Sequence, residues 1–407
     1  MQIENLVKKL ISEQKTAKKK ELFKRIKKLA ENNGIFLAST YEFYEQKHNF
    51  SVPAFNLRLL TFDLAKAIFQ VAKKTKAGFF IFEIAKSEMV YSDQSPEEYA
   101  GIVLAAAISQ GYSGPVFIQG DHFQVNCDAY LKNKKKEINN LKKLIQRAIS
   151  TGFYNIDIDS STLVDLSKKG LANQQKENFK VCAELTEYIR SIEPKDMTVS
   201  VGGEIGEIGT KNTTSDEFVA FMNGYNKEIK KQKVISKISI QSGTKHGGVV
   251  LPNGSLAKVN IDFPTTKKIS KLAQKKYNLA GVVQHGASTL PKSLFNKFPK
   301  SSVCEVHLAT EFQNMILDHK SFPKTLKKKM YSWIEKEYKN DINKFESKEQ
   351  FFYKMRKNAF GKFKKEINNL PQPIKNKIIF DIEKEFIQIF KKLNVFNTQD
   401  LVKKYYS

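Results

Sequence analysis

The stretch AGVVQHGAS, residues 280–288, decides the fold prediction. An apolar, strand-like segment ends at His285 and opens into the small residues Gly286, Ala287 and Ser288. A histidine at the end of a strand can hold a metal ion, and a loop of small residues lets backbone amides approach an anion closely. The stretch therefore predicts a metal site and an anion site side by side.

Similar apolar segments recur along the chain and alternate with amphipathic, helix-like segments. Parallel strands are buried on both faces, and each connection between them needs a crossover that is usually a helix. Eight strand–helix units therefore predict an α/β protein with a closed (β/α)8 TIM barrel, and an open doubly wound sheet fits this count less well. The predicted strands are 51–56, 79–85, 115–122, 154–159, 197–206, 237–243, 280–286 and 302–310.

Lysine-rich extensions flank the predicted barrel, which spans residues 51–311. Residues 1–50 have apolar positions at helical spacing and form a helical N-terminal extension. Residues 312–407 form a helical C-terminal extension that packs on the barrel or supplies an oligomer interface, and Leu370-Pro371-Gln372-Pro373 divides it into two parts. The last predicted helix carries an apolar stripe of Phe380, Ile382, Phe386, Ile387 and Phe390.

The composition is typical of a globular protein with a large core. Hydrophobic residues make up 41% and charged residues 27% of the 407 residues. No run of eighteen apolar residues occurs, which predicts no membrane span, and the N-terminus lacks the apolar segment of a secretory signal. Cys127, Cys182 and Cys304 lack metal-site spacing, which indicates reduced thiols and a cytoplasmic location.

The formal net charge of +26 raises the question of nucleic-acid binding. Lysine supplies nearly all of this charge, and the lysines are spread along the whole chain. Sequence-specific nucleic-acid sites favour arginine, because its guanidinium contacts a base with two hydrogen bonds. We therefore expect no nucleic-acid partner, and a cationic surface would instead attract anionic sugar phosphates.

Polar side chains stand at the ends of the predicted strands, which is where barrel active sites form. Three of the six histidines lie there, namely His122, His246 and His285, and Glu204 ends a further strand. Imidazoles and a carboxylate suit Zn²⁺ or a similar divalent ion. Asp121 precedes His122 and is expected to point differently, as neighbours on a strand do, which leaves it free for general acid–base chemistry.

The order and spacing of several short motifs resemble the class II, metal-dependent fructose-bisphosphate aldolases. The similarity runs from about Val52 to about Thr310. The order and spacing of the motifs are more specific than any single motif. The motifs are VPAFN (52–56), GDH (120–122), IDIDSS (156–161), GEIG (203–206), GTKHGG (243–248), IDF (261–263) and QHGAS (284–288).

The resemblance implies a lyase of glycolysis and gluconeogenesis that reversibly cleaves fructose 1,6-bisphosphate to dihydroxyacetone phosphate and glyceraldehyde 3-phosphate. It also implies Zn²⁺ or another divalent metal (Co²⁺, Fe²⁺ or Mn²⁺), with a monovalent cation as a further candidate, and a homodimer or homotetramer. Two alternatives stay open. One is an aldolase for tagatose bisphosphate or another ketose phosphate, and the other is a non-catalytic partner subunit of an aldolase.

The resemblance also assigns roles to residues of this chain. Asp121 matches the catalytic residue that passes a proton to and from the C4 hydroxyl of the ketose. The implied metal ligands are His122, Glu204, His246 and His285, with Asp159 as a supporting acid near the metal. The residues implied in substrate or phosphate binding are Asn56, Gly247, Gly286, Ser288, His307 and Thr310.

One strand departs from the family pattern. Many members have Lys-Val-Asn-Ile near the end of the eighth strand, where this chain has Glu305-Val306-His307-Leu308. His307 is thus expected either to contact substrate in place of the asparagine or to have a structural role. The departure indicates a divergent branch of the family, for which an altered substrate preference is one expectation.

Overall fold

The computed structural model describes residues 2–206, 211–230, 233–243, 250–253, 257 and 260–406. Eight parallel strands close into a barrel in the order β4-β3-β2-β9-β8-β7-β6-β5, with β5 pairing back to β4. The predicted (β/α)8 TIM barrel is confirmed. The strands are β1 (Ile35–Ala38), β2 (Val52–Asn56), β3 (Ile81–Ala85), β4 (Gly114–Gln124), β5 (Asn155–Asp159), β6 (Ser200–Gly206), β7 (Lys237–Ile240), β8 (Val282–Gln284) and β9 (Val303–Leu308).

Helices connect the strands and continue beyond the barrel at both ends of the chain. Short 3₁₀ turns follow β5 and β8, and another interrupts the C-terminal extension at Arg356–Ala359. The helices are α1 (Gln2–Ser12), α2 (Thr16–Asn32), α3 (Tyr41–Tyr44), α4 (Thr61–Thr75), α5 (Lys86–Tyr91), α6 (Pro96–Ser109), α7 (Cys127–Lys132), α8 (Lys134–Ser150), α9 (Leu171–Gln174), α10 (Lys176–Ile192), α11 (Ser215–Glu228), α12 (Phe263–Lys276), α13 (Lys297–Lys300), α14 (Thr310–Leu317), α15 (Lys324–Glu337), α16 (Lys348–Met355), α17 (Lys364–Asn368), α18 (Gln372–Lys392) and α19 (Gln399–Tyr406).

The N-terminal extension contains a strand as well as helices, so the expectation of a purely helical extension is incomplete. Strand β1 pairs in parallel with the first residues of β4, with Ile35 opposite Gly114 and Ala38 opposite Phe117. A run of four apolar residues is too short to distinguish a strand from a helix segment by periodicity. The pairing places the N-terminal extension against the lower end of the barrel wall.

Glu98 on α6 joins both extensions to the barrel. Its side chain is fully buried and forms ion pairs of 2.6 Å with Lys19 of α2 and 2.6 Å with Lys364 of α17. Burial raises the pKa of Glu98, while the two lysine charges act in the opposite direction. A buried carboxylate depends on such partners, because an unpaired charge in the interior is costly.

The apolar stripe of the last long helix is part of the core. Phe386 and Phe390 of α18 pack against Phe55 of β2, with ring centroids 5.2 and 5.7 Å apart. Ile382 is also fully buried, whereas Phe380 remains 62% exposed. The buried part of the stripe therefore packs on the barrel.

Candidate metal and substrate site

A bulge near the end of β4 turns two neighbouring side chains into the mouth of the barrel. The register of β4 against β5 shifts between Gly120 and Phe123, and His122 has a positive φ of 40°. Because a bulge interrupts the alternation of side chains along a strand, Asp121 Oδ1 and His122 Nε2 lie only 3.8 Å apart. The expectation that these two side chains point differently is therefore wrong.

Three of the four implied metal ligands come together at the carboxyl ends of β4, β6 and β8. His122 Nδ1 lies 3.0 Å from Glu204 Oε2, and the rings of His122 and His285 are 4.3 Å apart. One donor atom from each of the three residues lies within 4.8 Å of the others. Two imidazoles and a carboxylate at this separation fit a divalent cation such as Zn²⁺. The predicted ligand His246 and its neighbour Gly247 lie outside the described residues.

Asp159 lies behind this donor cluster and orients it. Its Oδ2 is 3.1 Å from His122 Nδ1 and accepts a hydrogen bond of 2.5 Å from Gln124, while its Oδ1 accepts from the hydroxyl of Ser161 at 2.7 Å. Burial would raise the pKa of Asp159, but the hydrogen bond and charge of His122, together with the hydrogen bonds from Ser161 and Gln124, lower it. Carboxylates placed this way fix the imidazole of a metal ligand.

Opposite charges hold the donor cluster together. Burial would lower the pKa of His122, but Asp121 and Glu204 raise it well above its usual value. Burial and the nearby charge of Asp159 raise the pKa of Glu204 to about 7. Since metal ligation requires a neutral imidazole, a divalent cation would displace the proton that His122 holds in the free protein.

Asp121 lies between the donor cluster and His307. Its Oδ1 is 3.2 Å from His307 Nδ1 and 4.0 Å from His285 Nδ1. Burial would raise the pKa of Asp121, but the charges of His122 and His307 hold it well below the usual value. The carboxylate is thus ionised at neutral pH, which is the state that a general base requires.

A buried polar network below the site was not predicted from the sequence. His307 Nε2 lies 2.6 Å from Glu305 Oε1, and Lys237 Nζ lies 2.5 Å from the same oxygen. Lys237 also lies 3.1 Å from Asp157 Oδ1 and donates to Gln119 at 2.6 Å. These residues are charged or polar positions within strands that are otherwise buried, and on β9 Glu305 and His307 alternate with apolar residues, which is the sequence signal that marks the network.

Gly202 of the GGEIG motif makes room for this network. A Cβ atom at Gly202 would lie 2.2 Å from Asp157 Oδ1, a distance that side chains do not tolerate. Neighbouring strands therefore approach closely at this point only because β6 has a glycine. The motif thus serves the barrel interior as well as placing Glu204 at the mouth.

A cavity of about 460 Å³ opens over the donor cluster and Asp121. Gly286 borders it with a left-handed φ of 66°, a conformation that glycine adopts without strain. Asn56 contacts Arg58 and Glu88. Its side-chain amide donates a hydrogen bond to Glu88, and its Oδ1 accepts one of 3.2 Å from Arg58 Nε. The other implied substrate residues that line the cavity are Ser288, His307 and Thr310, and the lining residues missed from the sequence include Arg58, Glu83, Glu88, Tyr353, Lys354 and Lys357.

The fold and the donor cluster define a (β/α)8-barrel protein with a metal-type site at the carboxyl ends of its strands. The family model described as fructose-bisphosphate aldolase class-II matches residues 43–369. The chain belongs to this family, which is a family of lyases that are generally metal-dependent and act on sugar phosphates.

Solved structures of low sequence identity share the fold. The fructose-bisphosphate aldolase of Campylobacter jejuni is 16% identical, with 89% of this chain and 96% of that chain covered and a TM-score of 0.51. The YdjI aldolase of Escherichia coli K12 is 13% identical, with 89% of this chain and 98% of that chain covered and a TM-score of 0.53. A protein described as a probable tagatose 6 phosphate kinase from Sinorhizobium meliloti 1021 is 12% identical, with 87% of this chain and 99% of that chain covered and a TM-score of 0.58. No curated protein matches the chain by sequence.

Among the residues described here, none of the helices combines the length and the apolar character needed to cross a bilayer.

Proposed function

We propose that this protein is a metal-dependent aldolase that reversibly cleaves fructose 1,6-bisphosphate to dihydroxyacetone phosphate and glyceraldehyde 3-phosphate. The observation that carries the proposal is the placement of His122, Glu204 and His285 beside an ionised Asp121 at the mouth of a barrel of this family. His246 is proposed as the fourth ligand. Zn²⁺ is the first candidate metal, and Co²⁺, Fe²⁺ and Mn²⁺ are the others.

The proton chemistry is assigned to Asp121. A divalent cation held by the donor cluster would polarise the carbonyl of the ketose. Asp121 takes the proton of the C4 hydroxyl, and C4 becomes the aldehyde carbonyl as its bond to C3 breaks. The electron pair of that bond stays on the three-carbon half as an enediolate, which takes up a proton at C3 to give dihydroxyacetone phosphate. In the synthetic direction Asp121 returns its proton to the oxygen on C4. His122 and His307 favour the ionised carboxylate, so Asp121 is ready to act as the base when the ketose binds.

The loop after β8 is proposed to bind the phosphate of the dihydroxyacetone half. Gly286 has no side chain to block an approaching oxyanion, and it adopts its left-handed conformation without strain. Ser288 borders the same cavity, and its Oγ lies 3.4 Å from the backbone nitrogen of Glu311. A phosphate here lies next to the donor cluster, as cleavage between C3 and C4 requires.

The test is steady-state cleavage of two epimeric substrates by the purified protein loaded with Zn²⁺. Fructose 1,6-bisphosphate is expected to be cleaved with a higher kcat/KM than tagatose 1,6-bisphosphate, and Asp121→Ala is expected to lose at least about 100-fold in kcat. A preference for tagatose 1,6-bisphosphate would replace the proposed substrate with its C4 epimer. A zinc-loaded protein that cleaves neither sugar would favour the non-catalytic partner subunit.

A further inference from the structure

A second cavity, here called the junction cavity, lies where the two extensions meet the barrel and has a volume of about 470 Å³. Its walls are α1 of the N-terminal extension, α4 of the barrel and the part of the C-terminal extension between Gly361 and Lys375. Among the residues that the structure describes, none lines both this cavity and the one over the donor cluster. The volume is typical of pockets that bind small molecules.

Positive charge dominates the lining of the junction cavity. Six lysines line it, against the three carboxylates of Glu4, Asp63 and Asp93. The lysines are Lys8, Lys66, Lys362, Lys364, Lys365 and Lys375. A concave surface lined mainly by one sign of charge attracts ligands of the opposite sign, so the lining favours an anion.

Two of these lysines are already paired and hold the walls together. The ammonium of Lys375 in α18 lies 3.2 Å from Asp63 Oδ2 in α4. The ammonium of Lys364 lies 2.6 Å from Glu98 Oε1 and 3.5 Å from Asp93 Oδ2. Because these pairs tie the C-terminal extension to the barrel, the cavity is formed before any ligand enters, and two of its three carboxylates are neutralised.

The other four lysines can pair with a ligand. Within the described part of the chain, no carboxylate lies at ion-pair distance from the ammonium groups of Lys8, Lys66, Lys362 and Lys365. Three of them are exposed, and Lys66 lies with its ammonium 5.3 Å from the ring centre of Phe62. A polyanion could therefore form charge-assisted hydrogen bonds here without first breaking an ion pair.

The start of α18 adds a second source of positive potential. Gln372, the first residue of this 21-residue helix, lines the cavity, and Pro371 before it provides no side-chain hydrogen bond to the first turn. The N-terminus of a helix carries a partial positive charge and unpaired N–H groups, which favour anions such as phosphate. The lysines and the helix thus indicate the same kind of ligand group.

One wall of the junction cavity is apolar. Val7 and Ile11 of α1 and Phe62 of α4 line it, and Ile11 and Phe62 are only half-buried. An inorganic anion would leave these side chains in water, whereas an apolar or aromatic body on the ligand would cover them. The cavity therefore suits a ligand with both a charged and an apolar part.

We propose that the junction cavity binds a small phosphorylated molecule with an apolar or aromatic body, at a site separate from the donor cluster. The inference does not rest on the proposed aldolase function. Both extensions contribute side chains to the cavity, so a bound ligand would stabilise their packing on the barrel.

Calorimetry on the full-length protein with three probes tests the proposal. ATP has both a polyphosphate and an aromatic body, tripolyphosphate has only the charge, and adenosine has only the body. We expect one ATP to bind per chain, and both partial probes to bind at least about tenfold more weakly, because each lacks one of the two contributions. Absence of ATP binding, or equal affinities for ATP and tripolyphosphate, would overturn the inference.

Substitution of lysines locates the bound ATP. Lys8→Met and Lys365→Met should each weaken ATP binding about tenfold, since each removes a charged partner of the phosphates. Lys9→Met and Lys377→Met are the matched controls, because these exposed lysines belong to the same extensions but do not line the cavity, and they should leave the affinity unchanged.

All four substituted lysines are exposed, so the variants should keep the stability of the unmodified protein, which urea titration without ligand measures. Unchanged affinity in Lys8→Met and Lys365→Met would place ATP elsewhere and overturn the inference. Equal losses in all four variants would also overturn it, because they would show general attraction of ATP to a cationic surface and not a site.

Discussion

Substitution of Lys237 should lower stability strongly, because this side chain neutralises acids in the closed interior of the barrel. Its side chain is fully buried and lies 3.1 Å from Asp157 Oδ1. At an effective dielectric constant of about 20, two unit charges at 3.1 Å attract each other by about 5 kcal/mol. Desolvation of the ammonium cancels part of this attraction, and measured losses for breaking buried pairs are about 3–5 kcal/mol.

We therefore expect Lys237→Met to lower the free energy of unfolding by about 3–5 kcal/mol in urea titrations at pH 7. Glu305 keeps hydrogen bonds to Tyr44 and Gln119 after this change, but both oxygens of Asp157 have no hydrogen-bond partner among the described residues. Adding Asp157→Asn to Lys237→Met removes the carboxylate that has lost its ammonium partner and keeps only His307 Nε2, 3.7 Å from its Oδ2, so the second change should recover about 1–2 kcal/mol.

Lys230→Met provides the control, because this lysine is exposed and its loss should change stability by less than about 0.5 kcal/mol. If Lys237→Met cost less than about 1 kcal/mol, the network would contribute little to stability. If the second substitution recovered nothing, the loss would come from packing and not from the unpaired acid at position 157. Either result would refute the electrostatic reasoning.

Three further outcomes follow from the structure. Glu98→Ala should cost about 3 kcal/mol in urea unfolding, because it strands two lysines of the extensions, and a loss below about 1 kcal/mol would show that apolar packing holds the extensions. Gly202→Ala should cost about 1–3 kcal/mol and more than Gly203→Ala, since its methyl group would meet Asp157 Oδ1 at 2.2 Å, whereas that of Gly203 would meet Ile235 at 3.1 Å. Carboxylates raise the pKa of His122 despite its burial, so a proton competes with zinc for this ligand. The zinc affinity should therefore weaken about tenfold per pH unit as the pH falls below neutrality. Competition with a chelator at pH 6 and pH 7 measures this dependence, and an equal affinity at the two pH values would contradict it.

The barrel was predictable because its signals are local. Strands covered on both faces need continuous apolar sequence, and this pattern located all eight barrel strands. Two helix starts were equally clear. Ser95 accepts a hydrogen bond from the backbone N–H of Glu98 at the start of α6, and Thr214 and Glu217 form a capping box at α11, which is the arrangement that a Thr-x-x-Glu spacing favours. Strand β1 was missed because a four-residue apolar run has no distinctive period.

The interior of the site depends on contacts that no local pattern encodes. The bulge that brings Asp121 beside His122 arises from the pairing of β4 with β5, and pairing register is set by the closed sheet. Lys237 and its acidic partners lie on different strands, so their pairing appears only when the barrel closes. The sequence pattern located the donor residues His122, Glu204 and His285, whereas the cavity-lining residues of the C-terminal extension, such as Tyr353, were recognisable only in the folded chain.

The measurement that tests the central claim most directly is the rate of fructose 1,6-bisphosphate cleavage as a function of bound metal. The protein is stripped with a chelator, Zn²⁺ is returned in steps, and metal content and rate are measured on the same samples. We predict that the rate is negligible without metal and rises in proportion to occupancy up to one ion per chain, and that His285→Ala neither binds zinc tightly nor cleaves the sugar. Full activity in the metal-free protein, or in His285→Ala, would contradict the account.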